Sequence, residues 1–258
     1  MHIKELFDLS GKTAMVTGGG RGLGEQIATA YAEAGANVVI CSRKLAACEE
    51  VAGRLSGLGV KTLALACDIA NPDDVSRVVD AAVAEFGGID ILVNNSGATW
   101  GASAAEMPLD AWKKVIDVNV TGTFLMSQAV GKVMIERSKG GKIINIASIA
   151  GFGGVDPRVM DAIGYNTSKG AVITFTKDLA VKWGRYGINV NAIAPGFFPT
   201  KMAIALMERN KEMLLASTPL GRFGTEDDLK GAAVFLASKA SDYVTGTVIT
   251  VDGGSSAM

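Results

Sequence analysis

Histidine is almost missing from this sequence: the one imidazole is His2, which excludes histidine-based triads and most zinc sites. No metal site is expected. Cysteine is nearly as scarce. Cys41, Cys48 and Cys67 are odd in number, lack C-x-x-C spacing and sit in or beside apolar segments, so they read as reduced thiols rather than a disulfide framework. No apolar run reaches the roughly 20 residues of a membrane span, and the opening MHIKELFDLSGKTAMV holds no stretch apolar enough for a signal peptide. A cytoplasmic location is expected, with no membrane partner. Blocks of one charge are also absent. With 25 Lys plus Arg against 26 Asp plus Glu, the net charge is −1, which argues against nucleic acid or an acidic surface as partner.

What remains is a chain of 258 residues, 48% hydrophobic, with enough apolar material for a sizeable core and no stretch that reads as a linker. Short runs rich in Val, Ile and Ala (TAMVT, NVVICS, TLALAC, IDILVNN, KIINIAS, INVNAIAP, TVITVDGG) alternate with longer segments of helical period. Seven nearly all-apolar strands separated by helix-sized stretches imply repeated βαβ units: an α/β, doubly wound parallel sheet with helices on both faces. A single domain over residues 1–258 is expected.

Two segments carry chemistry. In the first, Tyr165 and Lys169 stand four residues apart where the chain reads as helix, and so share a face. A phenol of pKa about 10 moves protons poorly at neutral pH, but a cation about 4 Å away, at an effective dielectric near 20, is worth roughly 4 kcal/mol, or about three pKa units. That would bring the phenol close to 7. Ser148 ends the apolar run KIINIAS, where a hydroxyl can donate to a polarised carbonyl oxygen. The trio suits interconversion of a carbonyl and an alcohol.

In the second segment the first strand runs into Thr17-Gly18-Gly19-Gly20-Arg21-Gly22-Leu23-Gly24 and then into the helical EQIATAYAEAGA. Glycines there permit a tight turn and a close approach of a pyrophosphate, and the helix N-terminus offers free N–H groups and a favourable dipole. The end of the second strand selects the nucleotide. NAD(H) sites place an acid there for the ribose 2′-hydroxyl, whereas this chain reads Cys41-Ser42-Arg43-Lys44. With Arg21 in the turn as a second cation, NADP(H) is favoured over NAD(H). Asp68, after the third strand, is available either to bond the adenine edge or to cap the helix that starts near Asn71-Pro72.

Together these motifs resemble the short-chain dehydrogenase/reductase family over the whole length of the chain. Thr17 to Gly24 matches its T-G-x-x-x-G-x-G turn; Asn94-Asn95-Ser96-Gly97 is similar to its N-N-A-G stretch, with Ser96 for the usual alanine. Ser148 and Tyr165-x-x-x-Lys169 match its catalytic residues, Pro195-Gly196 with Thr200 resembles P-G-x-x-x-T, and Asp252-Gly253-Gly254 matches the C-terminal D-G-G. The resemblance implies a Rossmann fold and an oxidoreductase acting on CH–OH groups by hydride transfer. It adds Asn119 as a fourth catalytic residue that holds a water linking the lysine to solvent. It implies cofactor contacts from Thr17, Gly18, Gly20, Arg21, Gly22, Leu23, Gly24, Ser42, Arg43, Cys67, Asp68, Ile69, Asn95, Ser96, Gly97, Tyr165, Lys169, Pro195, Gly196, Phe198 and Thr200. It also implies a homotetramer, paired through the last helix and strand.

The sequence departs from the family in one place. Sixteen residues separate Ser148 from Tyr165, a longer interval than relatives commonly show. The extra residues are either a lengthened surface loop or a pocket wall made by Phe152, Arg158 and Met160. A substrate lid is expected at about 196–222, where Phe197, Phe198, Met202 and Met207 either line an apolar wall or pack internally. The first option points to a 3-oxoacyl thioester or similar ketone. The opening LFDLSGKTAMVTGGGRGLG instead resembles the gluconate 5-dehydrogenase branch, with Arg158 or Lys201 available to a sugar-acid carboxylate. A non-catalytic nucleotide-binding regulator is the remaining alternative, disfavoured by the intact Asn119, Ser148, Tyr165 and Lys169.

Overall fold

The strand Thr13–Thr17 is buried along its whole length, which explains why it is apolar on both faces and why the rest of the sheet assembles around it. The computed structural model describes residues 1–201 and 203–258. In chain order the elements are α1 (Ile3–Leu6), β1 (Thr13–Thr17), α2 (Gly22–Glu33), β2 (Asn37–Ser42), α3 (Leu45–Ser56), β3 (Thr62–Ala66), α4 (Pro72–Phe86), β4 (Ile91–Asn94), α5 (Leu109–Ile116), α6 (Gly122–Arg137), β5 (Gly141–Ile146), α7 (Ile163–Trp183), β6 (Ile188–Pro195), α8 (Ile204–Arg209), α9 (Lys211–Ala216), α10 (Lys230–Ala237) and β7 (Val248–Val251). All pairs of the 7-stranded sheet are parallel, in the order β3-β2-β1-β4-β5-β6-β7.

Alternate residues of each strand feed two cores. Ala14, Val16, Val38 and Ile40 pack with Ile27, Tyr31 and Leu236 on one face, while Met15, Val39 and Cys41 pack with Val78, Met126 and Leu179 on the other. This is the doubly wound single domain that the alternation of apolar runs predicts. Among the described residues no helix is long and apolar enough to cross a membrane.

The sheet order reverses at β1, between β2 and β4, and the carboxyl edge at such a reversal is where a ligand crevice forms in folds of this kind. The helix beyond β4 is irregular. Between α5 and α6, Asp117–Thr121 forms a wider π turn, a feature that concentrates at functional sites.

Candidate active site

The glycine turn is locked to the loop after β4 by side-chain bonds. Thr17 Oγ1 accepts from the N–H groups of Asn95 and Ser96, both at 3.0 Å, and donates to the Val93 carbonyl at 3.3 Å. Asn95 Nδ2 donates to the carbonyls of Thr17 at 2.9 Å and Gly18 at 3.2 Å. Gly18 has φ +65°, open to glycine, and a methyl on Gly24 would lie 2.3 Å from Asn95 Nδ2 and 2.5 Å from the Gly18 carbonyl. Close packing therefore leaves room only for hydrogen at position 24. Thr17, fully buried, and Asn95 brace this turn with their side chains.

Arg21 precedes α2 in an extended conformation and no side chain caps the helix, so its first N–H groups stay available to an anion. Gly20 abuts Ala47 in the first turn of α3, which brings the glycine turn alongside Arg43 and Lys44. Arg21 and Arg43 are exposed, and among the described residues neither is paired with a carboxylate. Asn71, not Asp68, caps α4, accepting from the N–H groups of Asp73 and Asp74. Asp68 bonds the Ala70 N–H through Oδ1, so Oδ2 remains for a ligand. Ser42 is half-exposed and its hydroxyl closes a local turn with Lys44. Cys67 and Ile69 turn their side chains into the core, which leaves only their backbone groups for a nucleotide. Leu23 packs in part against the opposite core. Thr200 reaches the turn from the other side: a methyl on Gly22 would stand 3.5 Å from its Cγ2. Pro195 is buried at the end of β6, and Gly196 packs on Asp252 of the D-G-G segment.

Ser148, Tyr165, Lys169 and Asn119 converge beside this cradle. Ser148 is extended at the end of the β5 run, and its Oγ accepts from the Ala150 N–H at 3.2 Å, so the hydroxyl hydrogen is free to donate elsewhere. The short turn behind it lies on α7 because Gly151 meets the Lys169–Gly170 backbone, where a methyl would come within 2.6 Å. Lys169 is buried, its Nζ donating to the Ile146 carbonyl at 2.6 Å and lying 5.6 Å from the Tyr165 ring centroid. Asn119, at the π turn, donates from Nδ2 to the Ala98 carbonyl at 2.9 Å and to Ser168 Oγ at 2.8 Å, and accepts from the Ala98 N–H at 2.7 Å. A methyl on Gly97 would lie 3.5 Å from Asn119 Oδ1 and 3.9 Å from Lys169 Nζ, so the N-N-S-G loop forms the wall between them.

Two residues that the sequence reading passed over complete this group. Ser168 bonds both Asn119 and the Tyr165 carbonyl, and Thr123 Oγ1 donates to the Asn119 carbonyl at 2.8 Å. Ser168 was within reach, since it stands three positions after Tyr165 on the helix face that carries the site.

The electrostatics differ from the expectation of a phenol near 7. Burial pushes the Tyr165 phenol above its ordinary value, and the Ser148 hydroxyl offsets only part of that. Burial also lowers the Lys169 amine, to about 8. The amine is aimed at the Ile146 carbonyl, so desolvation outweighs its pull on the phenol.

At the site's rim, Arg158 is exposed and paired with Asp156, whose carboxyl it holds down at about 2. Phe152 is exposed and Met160 half-buried. Phe198 and Met207 are buried: the Phe198 ring packs under Gly224, leaving its backbone for any ligand, while Phe197 is half-exposed. Met202 lies outside the described residues. Phe197, Thr218, Arg222 and Asp252 border a cavity of about 430 Å³ that none of the four converging residues lines.

Comparison with known proteins agrees with this arrangement. The family described as enoyl-(acyl carrier protein) reductase matches residues 18–256. A 2-dehydro-3-deoxy-D-gluconate 5-dehydrogenase of Dickeya dadantii is 43% identical over 98% of each chain. A short-chain type dehydrogenase/reductase from Mycobacterium marinum superposes with TM-score 0.95 at 40% identity, covering 98% of this chain and 99% of that one. A gluconate 5-dehydrogenase from Burkholderia cenocepacia, solved in complex with NADP and tartrate, superposes with TM-score 0.94 at 39% identity over 100% of both chains. The glycine cradle, the crevice at the sheet's reversal and the likeness along the full length lead to one conclusion: the chain belongs to the short-chain dehydrogenase/reductase family and is an oxidoreductase acting on CH–OH groups.

Proposed function

We propose that this protein is an NADP(H)-dependent dehydrogenase that interconverts a ketone and a secondary alcohol on a sugar acid. The observation that carries the reaction is the meeting of Ser148, Tyr165, Lys169 and Asn119 beside a glycine cradle that fits a dinucleotide. A bound nicotinamide dinucleotide supplies or accepts the hydride. The chain positions the substrate and moves the proton. In reduction Ser148 donates a hydrogen bond to the substrate carbonyl oxygen and Tyr165 delivers its phenolic proton to that oxygen; in oxidation both run in reverse. The Lys169 ammonium, largely protonated at neutral pH with a pKa of about 8, stabilises the phenolate left behind and bonds the nicotinamide ribose. The Asn119 carbonyl has a second lone pair beyond its bond from Thr123, to hold the water through which Lys169 is reprotonated.

Arg21 and Arg43 support a 2′-phosphate, and the relative from Burkholderia cenocepacia binds NADP. A sugar acid is supported by the relatives from Dickeya dadantii and Burkholderia cenocepacia and by the tartrate bound to the latter. It replaces the 3-oxoacyl thioester, for which the comparisons give no support; of the four residues that suggested an apolar wall, Phe198 and Met207 are spent on internal packing. Lys201, exposed at the start of the lid segment 196–222, is then available for the substrate carboxylate. A homotetramer belongs to the same reading and is checked by light scattering. The test of function is a panel of keto- and hydroxy-aldonates, polyols and 3-oxoacyl thioesters assayed with NADPH, NADP, NADH and NAD. The highest kcat/KM is expected on a sugar acid with the phosphorylated cofactor; a clear preference for a thioester would overturn the reading.

A further inference from the structure

The residues added between Ser148 and Tyr165 are fastened at two points. On one side the Ala102 N–H donates to the Asp161 carbonyl at 3.0 Å, and Ala102 and Ala162 form a parallel bridge, which ties the loop to the chain that follows the N-N-S-G wall. On the other side Asn210 Nδ2 donates to the Val159 carbonyl at 3.3 Å. Asn210 stands at the break between α8 and α9, the position that caps α9. Asparagine is among the best helix caps, yet here no cap bond is made from the side chain. Its amide is directed to the loop instead.

We propose that Asn210 is a positioning residue that latches the α8–α9 segment to the lengthened loop, so that the extra residues set how far this segment closes over the substrate. The inference builds on the lid assigned to 196–222 in the proposed function, and adds which bond holds it. The loop has a local turn where the latch attaches: Asp156 accepts from both the Arg158 N–H and its guanidinium, immediately before Val159. The Tyr165 end is fastened by the bridge at Ala162, directly before α7 begins. A lid docked on Val159 is therefore linked, through the residues up to Ala162, to the start of α7, which carries the acid–base tyrosine.

The test is amide hydrogen exchange of the whole protein, which needs no substrate, followed by kinetics. Asn210→Asp keeps the shape and removes the donor; Asn210→Gln keeps a carboxamide donor. In Asn210→Asp, exchange across α8 and α9 is expected to accelerate roughly three- to tenfold, the worth of one hydrogen bond, with NADP affinity unchanged. KM for whichever carbonyl substrate the protein turns over is expected to rise by a similar factor while kcat changes less, and Asn210→Gln restores part of both. Deleting Gly153 and Gly154, exposed residues with open space around them, shifts the Val159 carbonyl and serves as the second variant. It is expected to release α8 and α9 in the same way, and to add nothing to Asn210→Asp when combined. Unchanged exchange in both variants, or fully additive effects, would overturn the latch. Failure of sugar acids in the substrate panel would leave the exchange result standing, so the two readings fail separately.

Discussion

The floor of the site and its rim are built in opposite ways. On the floor, Thr17, Asn95, Asn119 and Ser168 each spend their polar atoms on backbone or on one another, and Gly18, Gly20 and Gly24 admit no larger residue without displacing a neighbour. At the rim, the described residues of 152–162 and 196–222 are largely exposed; among them one side-chain bond joins the two segments, and a bridge ties Ala162 to Ala102. A pre-organised floor is what proton and hydride transfer require, because misplacement there costs rate directly. A loosely held rim can vary without disturbing that floor. Under the proposed function, reaction class resides in one region and substrate choice in the other.

Substitutions at graded depths break or sharpen this contrast. The largest effect is expected from Tyr165→Phe, which should cut kcat by about 10²- to 10⁴-fold, the usual worth of a positioned acid–base group, while nucleotide titrations stay close to wild type. Lys169→Met should also lower turnover, by a smaller factor, yet raise stability. The lysine's folded value of about 8 lies below its ordinary 10.5, so the buried cation carries its full cost below pH 8, and the cost fades as pH rises from 8 toward 10.5. Removing it should add up to about 3 kcal/mol in urea unfolding at pH 7, with a smaller gain above pH 10. Gly24→Ala forces a methyl against Asn95 and should lower stability by about 1–3 kcal/mol in the same assay and weaken nucleotide binding with it. Arg43→Ala should weaken NADP roughly tenfold or more and leave NAD affinity unchanged, by titration of intrinsic fluorescence. Asp156→Asn breaks an exposed ion pair, and the melting temperature should shift by no more than about 1–2 °C. A large loss there would mean that the rim is as tightly built as the floor.

The strands were legible because both faces of each are buried, which leaves an unbroken apolar run: TAMVT and INVNAIAP coincide with β1 and β6 to the residue. The glycine turn was equally plain, since close packing at Gly24 restricts residue type. Less visible were features that depend on where a side chain points. Nothing in Y-x-x-x-K reveals that Lys169 faces the Ile146 carbonyl, or that burial outweighs its effect on the phenol. Phe198 and Met207 show the same limit: an apolar residue fits a pocket wall or a core equally well, and only the packing of Gly224 decides the first case. Asn71 took the capping role that Asp68 also suited because it directly precedes Pro72 in the first turn.

The π turn at Asp117–Thr121 means that the long helix carries one residue more than a regular spiral needs. Excising Val120 would let α5 and α6 run on as a single regular rod, without the wide turn between them. Such a rod would satisfy its own backbone better, and it would remove the wide turn from which the Asn119 carboxamide now reaches Ala98 and Ser168. Local regularity and a working centre thus compete for the same amino acid, and a deletion mutant that melts higher but turns nothing over would be the mark of that rivalry.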